Sequence, residues 1–297
     1  MNHKMRKSII IFGVNGQVGH SLVLALHSYT NIIPISRKNV DISDIDKLSI
    51  LLNNFDIIPD LIINASAYTA VDKAEKEIDL CNIINNKSVE IMALYCKNKN
   101  IPFIHYSTDY VFDGDNSNYT EIDIPNPLNI YGKTKLLGEQ AIQEINPTHF
   151  IFRTSWVYDF GRTNFLSAML KLSQSKDEIK VVNDQFGTPT WSMTIANITA
   201  YIINSYIFTK KHDQIKDYSG IYNLVSEGDT NWCDYAKKIF EYANINIKVV
   251  GIPSLEYPMP AKRPKYSILN VEKIKKTFNI DIPMWEDALK CCLYAYN

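Results

Sequence analysis

The stretch Ile9-Ile10-Ile11-Phe12-Gly13-Val14-Asn15-Gly16-Gln17-Val18-Gly19 decides the fold. Four continuous apolar residues ended by glycine are too short for a helix and fit a strand covered on both faces, as in a parallel sheet. Leu22, Val23, Ala25 and Leu26 then recur at helical spacing. A glycine turn between strand and helix lets a pyrophosphate approach backbone N–H groups at a helix N-terminus. The spacing is G-x-x-G-x-x-G, which makes Gly13, Gly16, Gln17, Val18 and Gly19 candidate dinucleotide ligands; the plain alternative is a turn needed only for helix–sheet packing.

The alternation continues outward. Asn31 to Ile35, Leu61-Ile62-Ile63, Phe103-Ile104-His105-Tyr106 and Phe150-Ile151-Phe152 read as strands, with helices expected over Val89 to Cys96 and Tyr131 to about Ile145. This is an α/β chain with a doubly wound, Rossmann-type parallel sheet, which binds ligands beyond the carboxyl ends of its strands. Ile179 to Val182 is expected to rejoin that sheet. From Gln185 the rhythm loosens, and a helix from Trp232 to Tyr242 is expected with Thr230 or Asn231 as N-cap. The expected division is a dinucleotide-binding domain over 1–184 and a smaller, mainly substrate-binding α/β lobe over 185–297, with a segment such as 218–225 returning to the boundary.

The 297 residues favour two lobes over one. Lys+Arg 31 against Asp+Glu 32 leaves a formal charge of -1, so no overall field favours nucleic acid or an anionic membrane. Five cysteines without a C-x-x-C pair read as reduced structural thiols of a cytoplasmic protein. Met1 to Ser8 reads as a ragged start before the first strand. Gln185 to Thr209 lacks charge, but Gly187, Pro189 and many Ser, Thr and Asn make it a buried loop and helix, not a membrane span.

Chemistry concentrates in two places. Ser107-Thr108-Asp109 ends a strand, and Tyr131-Gly132-Lys133-Thr134-Lys135 puts a phenol and an ammonium four apart on one helix face. A hydroxyl, a phenol and an ammonium together suit hydride transfer to a ketone. Tyr131 would donate the proton, Thr108 would hydrogen-bond the carbonyl oxygen, and Lys135 would hold the nicotinamide ribose. The nearby ammonium is expected to lower the phenol's pKa. Ser36-Arg37-Lys38 stands where an NAD-specific chain would carry a carboxylate, so Ser36 and Arg37 suit a 2′-phosphate and NADPH, with NADH open and Arg37 as a solvated cation the alternative. Asp41 and Ile42 are expected beside the adenine, Asp41 as a helix cap being the plain reading. Ala65, Ser66, Ala67, Tyr68 and Thr69, after the Leu61–Ile63 strand, allow close approach to a cofactor, and Tyr106 joins that set.

These blocks, with Asn129-Ile130-Tyr131, Arg153-Thr154-Ser155-Trp156, Asp184-Gln185-Phe186-Gly187 and Arg263-Pro264 in this order, resemble the dTDP-4-dehydrorhamnose reductases, extended short-chain dehydrogenase/reductases. The resemblance runs from about Ile9 to about Trp285. It implies NADPH-dependent reduction of dTDP-4-dehydro-6-deoxy-L-mannose to dTDP-L-rhamnose, a nucleotide sugar of cell-surface polysaccharides. It also implies that Gly16, Gln17 and Val18 meet the pyrophosphate, Thr108, Asp109, Tyr131 and Trp156 the deoxysugar, and Arg263 the substrate diphosphate. Trp156 as core packing is the alternative. Magnesium-bridged dimers of this family take carboxylates from three places, and here only Glu286 matches, beside Ser21 and Met193. Methionine offers no hard oxygen, so no metal site is expected and a homodimer is left open. Two rivals remain: a reductase making another dTDP-6-deoxyhexose such as dTDP-6-deoxy-L-talose, and a noncatalytic regulatory subunit of methionine adenosyltransferase.

Overall fold

The computed structural model describes residues 6–146, 148–210 and 212–295. Most of the ragged start, Met1 to Met5, lies outside them. Strands β1 (Ser8–Phe12), β2 (Asn31–Ile35), β3 (Leu61–Asn64), β4 (Phe103–Thr108) and β5 (His149–Thr154) are joined by Gly220–Asn223 in one parallel sheet. The spatial order runs β2, β1, β3, β4, β5 and then Gly220–Asn223. Its centre is apolar for the reason anticipated. Ile9, Ile10, Ile11 and Phe12 are wholly buried, and each such side chain contributes about 1.5–3 kcal/mol. Pro34, which has no N–H to donate, sits on β2, an edge strand.

The winding reverses between β1 and β3, which are neighbours in register Phe12↔Asn64. Both chains leave the sheet there at their carboxyl ends, which opens the crevice where this class of sheet binds ligands. Helix α1 (Gln17–Leu26) covers one face of the sheet and is buttressed by the helix Ser192–Ile202, with Ser21 Oγ 2.7 Å from Ser192 Oγ.

The smaller lobe has its own core, in which Tyr158, Leu166, Tyr235, Ile239, Trp285 and Leu289 are buried together. Ile179 to Val182 belongs to it, contrary to expectation: Glu178–Val182 pairs in parallel with Lys248–Ile252 in a separate two-stranded sheet. Its alternating exposed and buried residues fit a strand with one wet face, whereas the central strands are buried throughout. The Trp232–Tyr242 helix is capped by Asn231, whose side chain accepts from the Asp234 N–H. Among the described residues no helix is long and apolar enough to cross a membrane.

Candidate active site

A groove of about 1180 Å³ runs over the carboxyl ends of β1, β2, β3 and β4. It is lined by Gly13, Gly16, Gln17 and Val18 of the glycine turn, by Ser36, Arg37, Asp41 and Ile42 on its flank after β2, and by Ala65, Ser66, Ala67, Tyr68, Thr69, Tyr106, Tyr131 and Lys135. Gly13 has φ +81, and a Cβ there would lie 2.7 Å from the Ala65 backbone, so the two loops meet only through glycine. Gly19 is absent from the lining. A Cβ on it would fall 2.2 Å from Gly13 O, so its smallness serves the packing of α1 beneath the turn.

The flank carries a cation and no carboxylate at the end of β2. Arg37 is exposed and stands 3.9 Å from Asp41, too long for a firm ion pair. Asp41 accepts from the Ser43 N–H and hydroxyl, which hold its carboxyl below its usual range. The cap of the next helix is Asp44, which accepts from Lys47 N–H.

The loop after β3 is held from outside. Asn85, in a wide helical turn at Ile83–Lys87, accepts from Tyr68 N–H at 2.8 Å and donates to Tyr68 O at 3.1 Å. The Tyr68 hydroxyl donates to Glu77 at 2.7 Å, which raises that phenol to about 12.

Tyr131 and Lys135 lie on the helix Ile130–Ile145, whose N-cap Asn129 accepts from Gly132 N–H at 2.8 Å. Lys135 is 1% exposed, and its Nζ donates to Tyr106 O at 2.6 Å and lies 3.0 Å from His105 Nε2. Burial lowers its pKa to about 8. The expected lowering of the phenol is not found. Desolvation raises the pKa of Tyr131, and Lys135, turned toward the β4 backbone, does not offset it. Thr108 lies beside the phenol and favours its ionised form without offsetting burial, and Tyr110 meets the Tyr131 ring edge-on at 6.0 Å.

Thr108, Asp109, Trp156 and Arg263 stand outside the groove lining. Thr108 Oγ1 donates to Asp109 Oδ1 at 3.0 Å. Asp109 is buried with Oδ2 lacking a partner among the described residues, and burial lifts its pKa to about 7. Trp156 has φ +42, a costly conformation for a large side chain, and stacks on Trp232 at 3.5 Å with 9° between planes. Arg263 is fastened to Asp72 and faces Tyr110.

Several residues escaped the sequence reading. Asn64, His105 and Asn85 act through contacts 17 to 41 positions away, for which no local signal exists, whereas Asn129 caps its helix by accepting from Gly132 N–H three residues on, a local signal that could have found it. Arg162, whose Nη1 donates to Asn15 O at 3.0 Å over the glycine turn, is another.

The model of the RmlD substrate binding domain family matches residues 5–297. The dTDP-4-dehydrorhamnose reductase of Escherichia coli (strain K12) is 40% identical over 295 residues, covering 95% of this chain and 96% of that protein. The chain belongs to the dTDP-4-dehydrorhamnose reductase family. It is an NAD(P)H-dependent oxidoreductase with the Rossmann-type sheet of that family. A crystal structure of the Bacillus anthracis dTDP-4-dehydrorhamnose reductase in complex with NADP superposes with TM-score 0.89 at 35% identity, covering 98% of this chain and all of that one. The spore coat polysaccharide biosynthesis protein SpsK of Bacillus subtilis is 32% identical over 284 residues, covering 95% of each chain.

Proposed function

We propose that the protein reduces the 4-keto group of dTDP-4-dehydro-6-deoxy-L-mannose with NADPH, giving dTDP-L-rhamnose, and that Tyr131 supplies the proton. The observation that carries this reading is that Tyr131 and Lys135 line the same groove as the glycine turn. The groove fits a dinucleotide: it encloses about 1180 Å³, is lined by glycine at a helix N-terminus, and is flanked by a cation. When bound, NADPH supplies the hydride.

In this reading Gly16, whose own N–H donates to Gly13 O, lets the pyrophosphate approach the N–H groups of Gln17 and Val18, while Ser36 and Arg37 meet the 2′-phosphate and Asp41 and Ile42 the adenosine. Ala65, Ser66, Ala67, Tyr68, Thr69 and Tyr106 shape the nicotinamide end, with Lys135 on its ribose. Thr108 donates to the ketone oxygen while Tyr131 protonates it, and Asp109 and Trp156 orient the sugar. Arg263 reaches the diphosphate, for which its forked guanidinium is suited. A phenol whose pKa is raised stays protonated throughout the neutral range, so the donor is always loaded. The lobe of the large sheet then mainly holds the dinucleotide, and the smaller lobe, which draws Tyr158, Leu166 and Glu178–Val182 from before the expected 184/185 boundary, mainly covers the substrate, in a cytoplasmic enzyme that handles no nucleic acid.

The test is incubation with the keto-sugar and NADPH, followed by nicotinamide absorbance and product NMR. Stoichiometric NADPH loss with the rhamno configuration at C4 is expected. No consumption, or the talo product, overturns the assignment.

A further inference from the structure

Beneath Tyr131 a buried polar chain runs from Ser66 through Asn64 and His105 to Lys135. Asn64 and His105 are wholly buried. Asn64 Oδ1 accepts twice from Ser66, from the backbone N–H at 3.0 Å and from the hydroxyl at 2.5 Å. A backbone N–H can only donate, so this end of the amide is the oxygen and the other is the NH₂. That NH₂ stands 3.1 Å from His105 Nδ1, which must therefore present its lone pair.

A neutral imidazole with a bare Nδ1 carries its proton on Nε2. His105 Nε2 is 3.0 Å from Lys135 Nζ. An ammonium has three donors and no acceptor, so a charged Lys135 would set N–H against N–H. A free amine resolves the conflict: it accepts from His105 Nε2–H and donates to Tyr106 O at 2.6 Å.

We propose that Asn64 and His105 form a tautomer lock that keeps Lys135 an uncharged amine in the free protein. Both are positioning residues acting through Lys135, and the catalytic consequence rests on the role given to Lys135 above. Charging Lys135 takes one proton from solvent onto Nζ, moves the imidazole proton from Nε2 to Nδ1, and turns the Asn64 amide away from Ser66. The groups facing Nζ are His105 and Tyr106 from β4, Tyr131 and Glu139 from its own helix, and Cys81 from the helix Ile78–Asn82. Glu139 favours the charge but is committed to Arg153, with oxygens 3.0 and 2.6 Å from that guanidinium. Burial already lowers the amine to about 8, and the lock lowers it further.

Imidazole ¹⁵N shifts of histidine-labelled protein read this directly, since the chain has 6 histidines and His105→Gln identifies the relevant signals. The free protein should show His105 protonated at Nε2 and bare at Nδ1 between about pH 6 and 8. A proton on Nδ1, or on both nitrogens, overturns the lock whether or not the protein is an active reductase. Asn64→Asp places a carboxylate oxygen against Nδ1 and should invert the tautomer. With Lys135 then donating to a bare Nε2, a hydrogen bond that favours its charged form, the alkaline limb of kcat/KM should move up by about one pH unit. An inverted tautomer with an unmoved limb overturns the effect on Lys135. Should the variant not fold, the wild-type spectrum decides alone.

Discussion

Arg263 grips Asp72 with both terminal nitrogens, Nη1 to Oδ1 at 3.1 Å and Nη2 to Oδ2 at 2.7 Å, closing 191 residues of chain into one contact. Asn129 Nδ2 donates to Lys262 O at 2.9 Å beside it, so the segment bearing Arg263 is tied both to the helix of Tyr131 and to the loop after β3. Arg263 lowers the pKa of Asp72 from its usual 3.8. A carboxylate lowered on folding stabilises above its unfolded pKa and loses that contribution as pH falls through the folded one. The difference in Tm between wild type and Asp72→Asn should therefore be constant above about pH 4 and vanish on further acidification. Arg263→Lys, which cannot form the fork, should raise KM for the sugar nucleotide about tenfold with a smaller change in kcat; an unchanged KM removes Arg263 from the substrate site.

Tyr131→Phe should lower kcat about 10²–10⁴-fold while leaving NADPH binding within a few-fold, because only the donated proton is lost. Thr108→Val should cost about 10–10²-fold in kcat/KM. Steady-state kinetics with fluorescence titration of the cofactor check both, and undiminished turnover in Tyr131→Phe rejects it as donor.

Arg37 is exposed and loosely tied, so it is free to meet a phosphate. Arg37→Ala should raise the Kd of NADPH about tenfold and leave that of NADH almost unchanged. Equal losses for both would show that the 2′-phosphate is held elsewhere.

Lys135→Met should separate stability from activity. The native pKa, no higher than about 8, is below the usual 10.5, so folding penalises the charged form fully below that native pKa and not at all above 10.5. Removing the amine should therefore stabilise the protein at pH 7 by about 3 kcal/mol, less the worth of the lost hydrogen bonds, while abolishing reduction. Denaturant melts at pH 7 and above pH 10.5 check this, and the gap should close at the higher pH.

With Ser21 and Met193 beside Glu286 at the positions the resemblance points to, no magnesium site is expected. The Ser21 hydroxyl is already joined to Ser192. Chelated, purified protein should carry well under one magnesium per chain by elemental analysis, and its Tm should not rise when magnesium is added.

The sheet was legible wherever chemistry is local: the Ile9–Phe12 run, the glycine turn and the strand ends at Asn64 and Thr108 are each written in a few adjacent residues. Ile179–Val182 misled because an apolar run says strand without naming its neighbour, and the partner, Lys248–Ile252, lies about 70 residues on. Likewise, Y-x-x-x-K placed Tyr131 and Lys135 on one face but could not show where the amine donates. That depended on Tyr106 O and His105 from another strand. Trp156 was legible as an aromatic, but its left-handed backbone and its stack on Trp232 arise only from tertiary packing.

Gly220–Asn223 lies beyond the expected boundary yet completes the far edge of the large sheet against β5. Cutting the chain after residue 184 would leave β5 with a bare row of amides and carbonyls, an invitation to self-association. The two halves of this enzyme are thus sewn together by their own thread, and neither is a cassette that could be moved intact into another protein.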